Sequence, residues 1–338
     1  MIDIPGLNYR TQRYKESYDQ LPQNLILGSE TASTVSSRGV YKFPVEDKKS
    51  TKYEDHQCSS YDVEACSWSN IPDEDFALAD DNHWTIGQFV WTGFDYLGEP
   101  SPYDTNAWPN HSSMFGIIDL ASIPKDRYYL YRSVWNKKAE TLHILPHWTW
   151  PGREGKVTPV FVYTNHPTAE LFINGKSYGK QSKNNSSLKN RYRLMWMDAV
   201  YEPGEIKVVA YNKDGKAVAE KIVRTAGKPH HIELVSNRNK LTADGKDLAY
   251  ITVKVVDKDG NLCPADSRQI NFSVKGAGKY RAAANGDPTN LEQFHLPKMH
   301  TFNGMLTAIV QSGETAGEIV LTAKASGVKA GNIRIQTK

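Results

Sequence analysis

Apolar and polar positions change their rhythm part-way along the chain. Up to residue 137, strand-like and helix-like stretches alternate. Leu25-Ile26-Leu27-Gly28 is a short unbroken apolar run, as expected of a strand buried on both faces of a parallel sheet. Residues 3–9 precede it as a short apolar strand. Residues 11–20 are polar but carry Tyr14 and Tyr18 four apart, on one helix face. Residues 31–67 read as a long polar loop. Ile71-Pro72-Asp73-Glu74 then opens a helix, with Pro and acids in its first turn. Residues 86–96 form the next apolar strand, and a helix near 124–135 closes the region. The order β, α, β, α, β implies parallel strands.

Beyond residue 138 only strands are expected. Residues 157–163, 170–173 and 204–211 alternate with period two, and Asn174-Gly175-Lys176 and Asn212-Lys213-Asp214-Gly215 read as turns. The pattern repeats in kind over 232–235, 249–256, 269–274, 304–310 and 318–325, with a turn at Asp257-Lys258-Asp259-Gly260. Lys228-Pro229 reads as a linker. Short strands at regular spacing predict immunoglobulin-like β-sandwiches over 138–227 and 228–338, after a mixed α/β domain over 1–137.

Composition narrows the function classes. The chain has 39% apolar and 23% charged residues, an ordinary globular balance. Eight Trp and eighteen Tyr suit a carbohydrate-active chain, since sugar C–H faces pack on rings, and suit a β-rich fold equally. Basic and acidic residues, 41 against 38, are interspersed, which argues against a nucleic-acid partner. No apolar run approaches the ~20 residues of a membrane helix. No signal peptide opens the chain, and Met1-Ile2-Asp3-Ile4-Pro5 reads as the middle of a longer protein. Cys58 and Cys66 are close enough in sequence for a disulfide, which geometry decides; Cys263 reads as a lone thiol. His143, His147, Trp148 and Trp150, beside Pro146 and Pro151, read as packing rather than metal ligands. Asp244, Asp247, Asp257 and Asp259 fit turns better than a calcium loop.

The candidate chemistry sits where strands end. Leu25-Ile26-Leu27-Gly28-Ser29-Glu30 runs directly into a carboxylate, and active-site groups of (β/α)8 barrels lie at such C-terminal ends. Trp91 follows the next strand and could floor a sugar site. Asp95 and Glu99 could bond hydroxyls, but as residues they read better as structural.

Taken together, these segments resemble family 2 glycoside hydrolases of the β-galactosidase type, as found in gut Bacteroidetes with accessory C-terminal sandwiches. Asp3-Ile4-Pro5-Gly6-Leu7-Asn8-Tyr9 resembles strand six of their TIM barrel. Leu25 to Thr34 with Ser37-Arg38-Gly39-Val40-Tyr41 resembles strand seven, and Trp91-Thr92-Gly93-Phe94-Asp95-Tyr96-Leu97-Gly98-Glu99-Pro100 strand eight. Met114 to Asp119, Pro124 to Asp126 and Tyr129 to Trp135 resemble the segment that closes the barrel. Asn285-Gly286-Asp287-Pro288-Thr289-Asn290, with Leu241 to Gly245, resembles the family's C-terminal immunoglobulin-like module.

The resemblance implies that Glu30 is the nucleophile, that Tyr9 orients it, and that Trp91, Asn8 and Asp95 contact the sugar. It implies retaining hydrolysis of terminal β-D-galactosides, or a related β-glycoside, without a cofactor; a structural Mg²⁺, Na⁺ or Ca²⁺ stays open. The partner would be a β-linked oligosaccharide or polysaccharide, a homo-oligomer stays open, and family habit places the protein in the periplasm or outside the cell. The family's acid/base, a Glu after an Asn at the end of strand four, has no match, because no Asn-Glu pair occurs here. Loss of a proton donor costs ~10²–10⁴-fold in rate, so this stretch alone is expected to be inactive. The rival reading is a non-catalytic carbohydrate-binding, spacer or adhesion module, which exposed coplanar aromatics on a sandwich face would favour.

Overall fold

The computed structural model describes residues 2–104 and 107–338, so Met1 lies outside the described residues. The chain forms two compact units: residues 1–119, 124–146 and 152–223, and residues 120–123, 147–151 and 224–338.

In the first unit, β1 (Gly6–Asn8), β2 (Ile26–Thr31) and β3 (Thr85–Val90) form a parallel sheet in that order. Gly6 sits beside Leu27, Ile26 beside Thr85, and Thr31 beside Val90. Helices α1 (Tyr14–Gln20) and α2 (Pro72–Asp81) form where the sequence placed them. Tyr18 stacks on Trp84 at 4.6 Å, and Tyr14 is buried. Gly28 is required at the sheet centre, since a Cβ there would meet Thr31 Cγ2 at 2.7 Å. Two strands are shorter than their apolar runs. β1 stops because Tyr9 takes φ 54°, and β3 stops at Val90, ahead of a cis Trp91–Thr92 peptide. The closing helix, α3, spans Asp126–Trp135.

The expected polar loop is a buried layer instead. Residues 31–38 and 57–66 are buried, and several of their polar groups are bonded internally. Ser33 N donates to Ser69 Oγ at 2.7 Å, and Thr34 Oγ1 to the Asn70 carbonyl at 3.1 Å. Arg127, from α3, donates to the carbonyls of Thr34, Phe115 and Gly116 and to Ser36 Oγ. Buried polar groups are tolerated where such partners exist. Cys58 and Cys66 lie in this layer as free thiols, and Cys263 is also buried and free.

The same unit carries two further sheets. One joins β4 (Leu142–Leu145), β5 (Val160–Thr164) and β8 (Leu194–Trp196) in the order β8–β5–β4. The other joins β6 (Thr168–Ile173), β7 (Lys176–Ser182), β9 (Glu205–Tyr211) and β10 (Ala217–Arg224) in the order β10–β9–β6–β7. Asn174 and Gly175 make the β6–β7 hairpin, at φ 47° and 79°. Both residues tolerate positive φ, as a two-residue hairpin turn demands. β5 is buried throughout, and its Phe161 meets Tyr61 edge-on at 5.0 Å. His143, on β4, pairs with Asp126 at 2.6 Å and stacks on Tyr129 at 3.9 Å, a packing role. A short helix, α4 (Leu188–Tyr192), is capped by Ser187 Oγ. It leads to Arg193, a fully buried guanidinium. Arg193 Nε donates to Asp73 Oδ1 at 2.9 Å and Nη1 to the carbonyls of Tyr61 and Asp62 at 3.1 Å each.

The second unit is a sandwich. Its first sheet runs β11 (His231–Ser236), β12 (Leu248–Val256), β16 (Met305–Ser312), β14 (Gly278–Ala284). Its second runs β18 (Gly331–Thr337), β17 (Gly317–Lys324), β13 (Gln269–Gly276), β15 (Lys298–His300), with Lys240–Leu241 added beside β18. Ile251, Val253, Leu306, Val310, Ile319, Leu321 and Ile335 fill the space between them. Asp244 and Asp257 accept backbone N–H bonds in turns. No group of three metal-ligating side chains occurs among the described residues. No helix is long and apolar enough to cross a membrane.

Two consequences are measurable. Arg193→Ala strands the buried Asp73 carboxylate, and breaking such a pair costs about 3–5 kcal/mol; urea unfolding should show that loss. Asp75, on α2, is held by burial at a pKa of about 7, against an opposing hydrogen bond from Asn70. The unfolded chain releases that proton near pH 4, so stability is fully present below that value and is lost as pH rises through 7. Asp75→Asn should flatten this decline and raise the melting temperature at pH 8.

Candidate functional site

Parallel strands end at a common edge, and β2 and β3 bring theirs together. Trp91 N donates to the Thr31 carbonyl at 2.9 Å, and Tyr9 N to the Glu30 carbonyl at 2.9 Å. Glu30, Tyr9 and Trp91 therefore share one edge of the sheet, each half-buried. Ala32, at φ 48°, turns the chain away directly after this edge.

The Tyr9 hydroxyl faces the side chains of Glu30 and Ser33. Burial raises this phenol well above its ordinary value; Ser33 opposes the shift and Glu30 adds to it. A phenol with so little tendency to ionise beside a carboxylate acts as a donor to it. The Trp91 indole Nε1 donates to Tyr96 Oη at 3.1 Å, with the two rings edge to face at 6.1 Å. Tyr96 Oη in turn donates to Glu99 Oε2. Tyr96 also lies near enough to Tyr9 to affect its ionisation. One cluster thus holds Glu30, Tyr9, Ser33, Trp91, Tyr96 and Glu99. Ser33 and Tyr96 were not singled out by sequence; a hydroxyl just past the strand-end carboxylate and a ring five residues beyond Trp91 were the available signals.

Of two further expected sugar contacts, one is occupied otherwise. Asp95 is buried, and its Oδ2 pairs with Lys125 Nζ at 2.6 Å while its Oδ1 accepts Gly116 N–H at 2.8 Å. Gly116 is required there, because a Cβ would lie 2.2 Å from Asp95 N. Burial lifts the Asp95 carboxyl to about 6 and lowers Lys125, and the pair opposes both shifts. Both carboxylate oxygens are spent on structure, which corrects the reading of Asp95 as a sugar ligand. Asn8 is exposed, and its Oδ1 accepts from Ser29 Oγ at 2.6 Å.

Comparison with known proteins shows the family of the chain. A model of the glycoside hydrolase family 2 C-terminal domain 5 matches residues 232–334, and one of a domain of unknown function, DUF4982, matches residues 155–219. The β-galactosidase BoGH2A of Bacteroides ovatus is 39% identical over the whole chain, which spans 39% of that protein's length. The chain belongs to glycoside hydrolase family 2. A putative β-glucuronidase of Formosa agariphila is 34% identical over 74% of this family 2 chain and 24% of its own length. The crystal structure of a β-glycosidase from Bacteroides vulgatus superposes with a TM-score of 0.87 at 30% identity, over 99% of this chain and 45% of that one. The chain therefore spans less than half the length of each of these relatives.

The Asp95 assignment has a direct check. Asp95→Asn leaves Lys125 as a buried cation without its counter-charge, which should lower stability by about 3–5 kcal/mol in chemical denaturation. Unchanged stability combined with weakened sugar binding would restore Asp95 as a ligand.

Proposed function

We propose that this chain is the C-terminal part of a longer retaining β-glycoside hydrolase that acts on terminal β-D-galactosides. In this reading β1, β2 and β3 are strands six to eight of a (β/α)8 barrel, and residues 138–227 and 228–338 are accessory immunoglobulin-like domains. The observation that carries it is Glu30, at the C-terminal end of a parallel strand, with the Tyr9 hydroxyl against it and Trp91 at the neighbouring strand end. That is the edge at which barrel enzymes place their chemistry.

Each residue has a task in such a reaction. Glu30 attacks the anomeric carbon and forms a glycosyl-enzyme, which water later hydrolyses. Tyr9 donates to the carboxylate and so fixes the direction of the attacking oxygen. Trp91 offers a ring face to the sugar, its plane fixed by the bond to Tyr96. The second carboxyl group, which protonates the leaving oxygen, would come from outside these 338 residues. The isolated stretch would then be inactive, and family habit places the whole protein in the periplasm or outside the cell.

The choice of galactose rests on the Bacteroides ovatus relative's name. Relatives named β-glucuronidase support a glucuronide as the second reading. The non-catalytic binding reading has less support from the outer face of β6 and β9. There Lys207 Nζ lies 5.1 Å from the Phe172 ring centre and Lys180 Nζ 3.9 Å from that of Tyr211, so both rings are covered by ammonium groups.

The test is hydrolysis of a panel of nitrophenyl β-glycosides by the full-length protein that carries this chain. Galactoside turnover should vanish in Glu30→Gln, and a 2-deoxy-2-fluoro galactoside should leave a covalent adduct on Glu30 by peptide mass spectrometry. Tyr9→Phe should lower kcat by about 10–100-fold, the worth of a hydrogen bond to a charged group. Full activity in Glu30→Gln would sink the assignment, and preference for the glucuronide would replace the sugar.

A further inference from the structure

The segment after Trp91 does more than support that ring. Thr31 and Val90 lie side by side in parallel strands, so the chain beyond each leaves from the edge that carries Glu30. Residues 96–98 and 111–113 pair as the antiparallel root of an arm at that edge. Ser113 N donates to the Tyr96 carbonyl at 2.8 Å, Leu97 bridges Ser112, and Gly98 N donates to the His111 carbonyl at 2.9 Å. The root is thus Tyr96, the residue bonded to Trp91.

Trp108 stands on this arm with 68% of its surface exposed, more than any other tryptophan among the described residues. The backbone around it is anchored. Asn110 N donates to the Ala107 carbonyl at 2.9 Å, and buried Asn110 donates through Nδ2 to the His56 carbonyl at 3.3 Å. His111 Nδ1–H donates to the Pro109 carbonyl at 2.9 Å, which leaves Nε2 as the free acceptor of the ring. That ring lies 6.2 Å from Trp108, tilted by 45°. A lone exposed apolar side chain needs no explanation. A large ring on an anchored arm, with an imidazole acceptor beside it and its root on the sugar-site tryptophan, has the make-up of a sugar platform. Few polar groups beside an aromatic face give both contact area and orientation.

We propose that Trp108, with His111, forms a leaving-group subsite that receives the second pyranose of a β-linked oligosaccharide. This rests on the glycosidase reading above and adds the substrate class: an extended β-linked saccharide rather than a small glycoside. The C–H face of the second ring would lie on the Trp108 indole, and one of its hydroxyls would donate to His111 Nε2.

The test compares two substrates that share the glycone selected by the nitrophenyl panel. One is the β-linked disaccharide; the other is the glycosyl fluoride (used at its activated configuration with fluoride as leaving group), which has no second ring. In the full-length protein, Trp108→Ala should lower kcat/KM on the disaccharide about tenfold, the scale of one ring-stacking contact. It should leave the fluoride unchanged, and Trp108→Phe should restore most of the disaccharide rate. Equal rates for wild type and Trp108→Ala on both substrates would overturn the subsite while the glycosidase reading stands. Equal losses on both, accompanied by a lower melting temperature, would mark Trp108 as a packing residue and overturn it too. A wild-type protein silent on every β-glycoside would remove both readings.

Discussion

The buried guanidinium of Arg127 is the constraint on which the first unit depends. It gathers the carbonyls of Thr34, Phe115 and Gly116 and the hydroxyl of Ser36, and it lies 4.0 Å from Asp62. Thr34 follows the strand that carries Glu30. Residues 115 and 116 follow the arm rooted at Tyr96, the residue bonded to Trp91. Helix α3, which supplies Arg127, therefore ties the two segments that build the site to one another. A guanidinium suits this task because its fixed fork of donors can satisfy several carbonyls at once. Its charge is balanced from below: Asp62 sits between Arg127 and Arg193, and burial lifts its carboxyl to about 6 against the pull of both cations.

Arg193 extends the same logic to the β-strands that follow. It reaches from the end of α4 to Asp73 at the start of α2, and to the carbonyls beside Asp62. Residues on either side of position 137 are thus held in one compact unit by buried charge as well as by Tyr61 and Phe161. Taking such charges out of water is costly, and their attraction compensates only with good geometry and further hydrogen bonds to the charged groups. The many serine and threonine groups of residues 31–38 and 57–66 serve that layer, and this is why a polar stretch lies inside.

Periodicity revealed what depends on neighbours in sequence. The unbroken run before Glu30 became a central parallel strand, the Tyr14 and Tyr18 spacing became a helix face, and Asn174-Gly175 became a hairpin turn. It missed what depends on neighbours in space. β7 reads Lys-Ser-Tyr-Gly-Lys-Gln-Ser and is exposed along nearly its whole length, so no apolar rhythm marks it. Its pairing with β6 supplies the reason it is a strand. Residues 31–67 looked like a solvated loop because the arginine that satisfies them lies some ninety positions later. Asp95 looked like a strand-end ligand for the same reason, its lysine being thirty residues away. That Glu30, Tyr9 and Trp91 share one strand edge was legible through a family resemblance, whereas the closeness of Tyr96 and Ser33 emerged only from their bonds and proximity.

The cluster also constrains which carboxylate can do what. Retaining chemistry needs two carboxyl groups about 5–5.5 Å apart, one of them able to give up a proton. The segment directly after Trp91 carries two carboxylates, Asp95 and Glu99. Glu99 accepts the Tyr96 hydroxyl proton, so it is held as an acceptor and fixes the direction of the Tyr96 lone pair toward Trp91. Asp95 has both oxygens committed to Lys125 and Gly116. Neither is arranged to protonate a leaving group. The structure sets the Glu30 side chain beside a phenol donor and brings it to the same strand edge as the Trp91 ring. In the proposed reaction the proton donor is therefore a further carboxyl group, distinct from both Glu99 and Asp95.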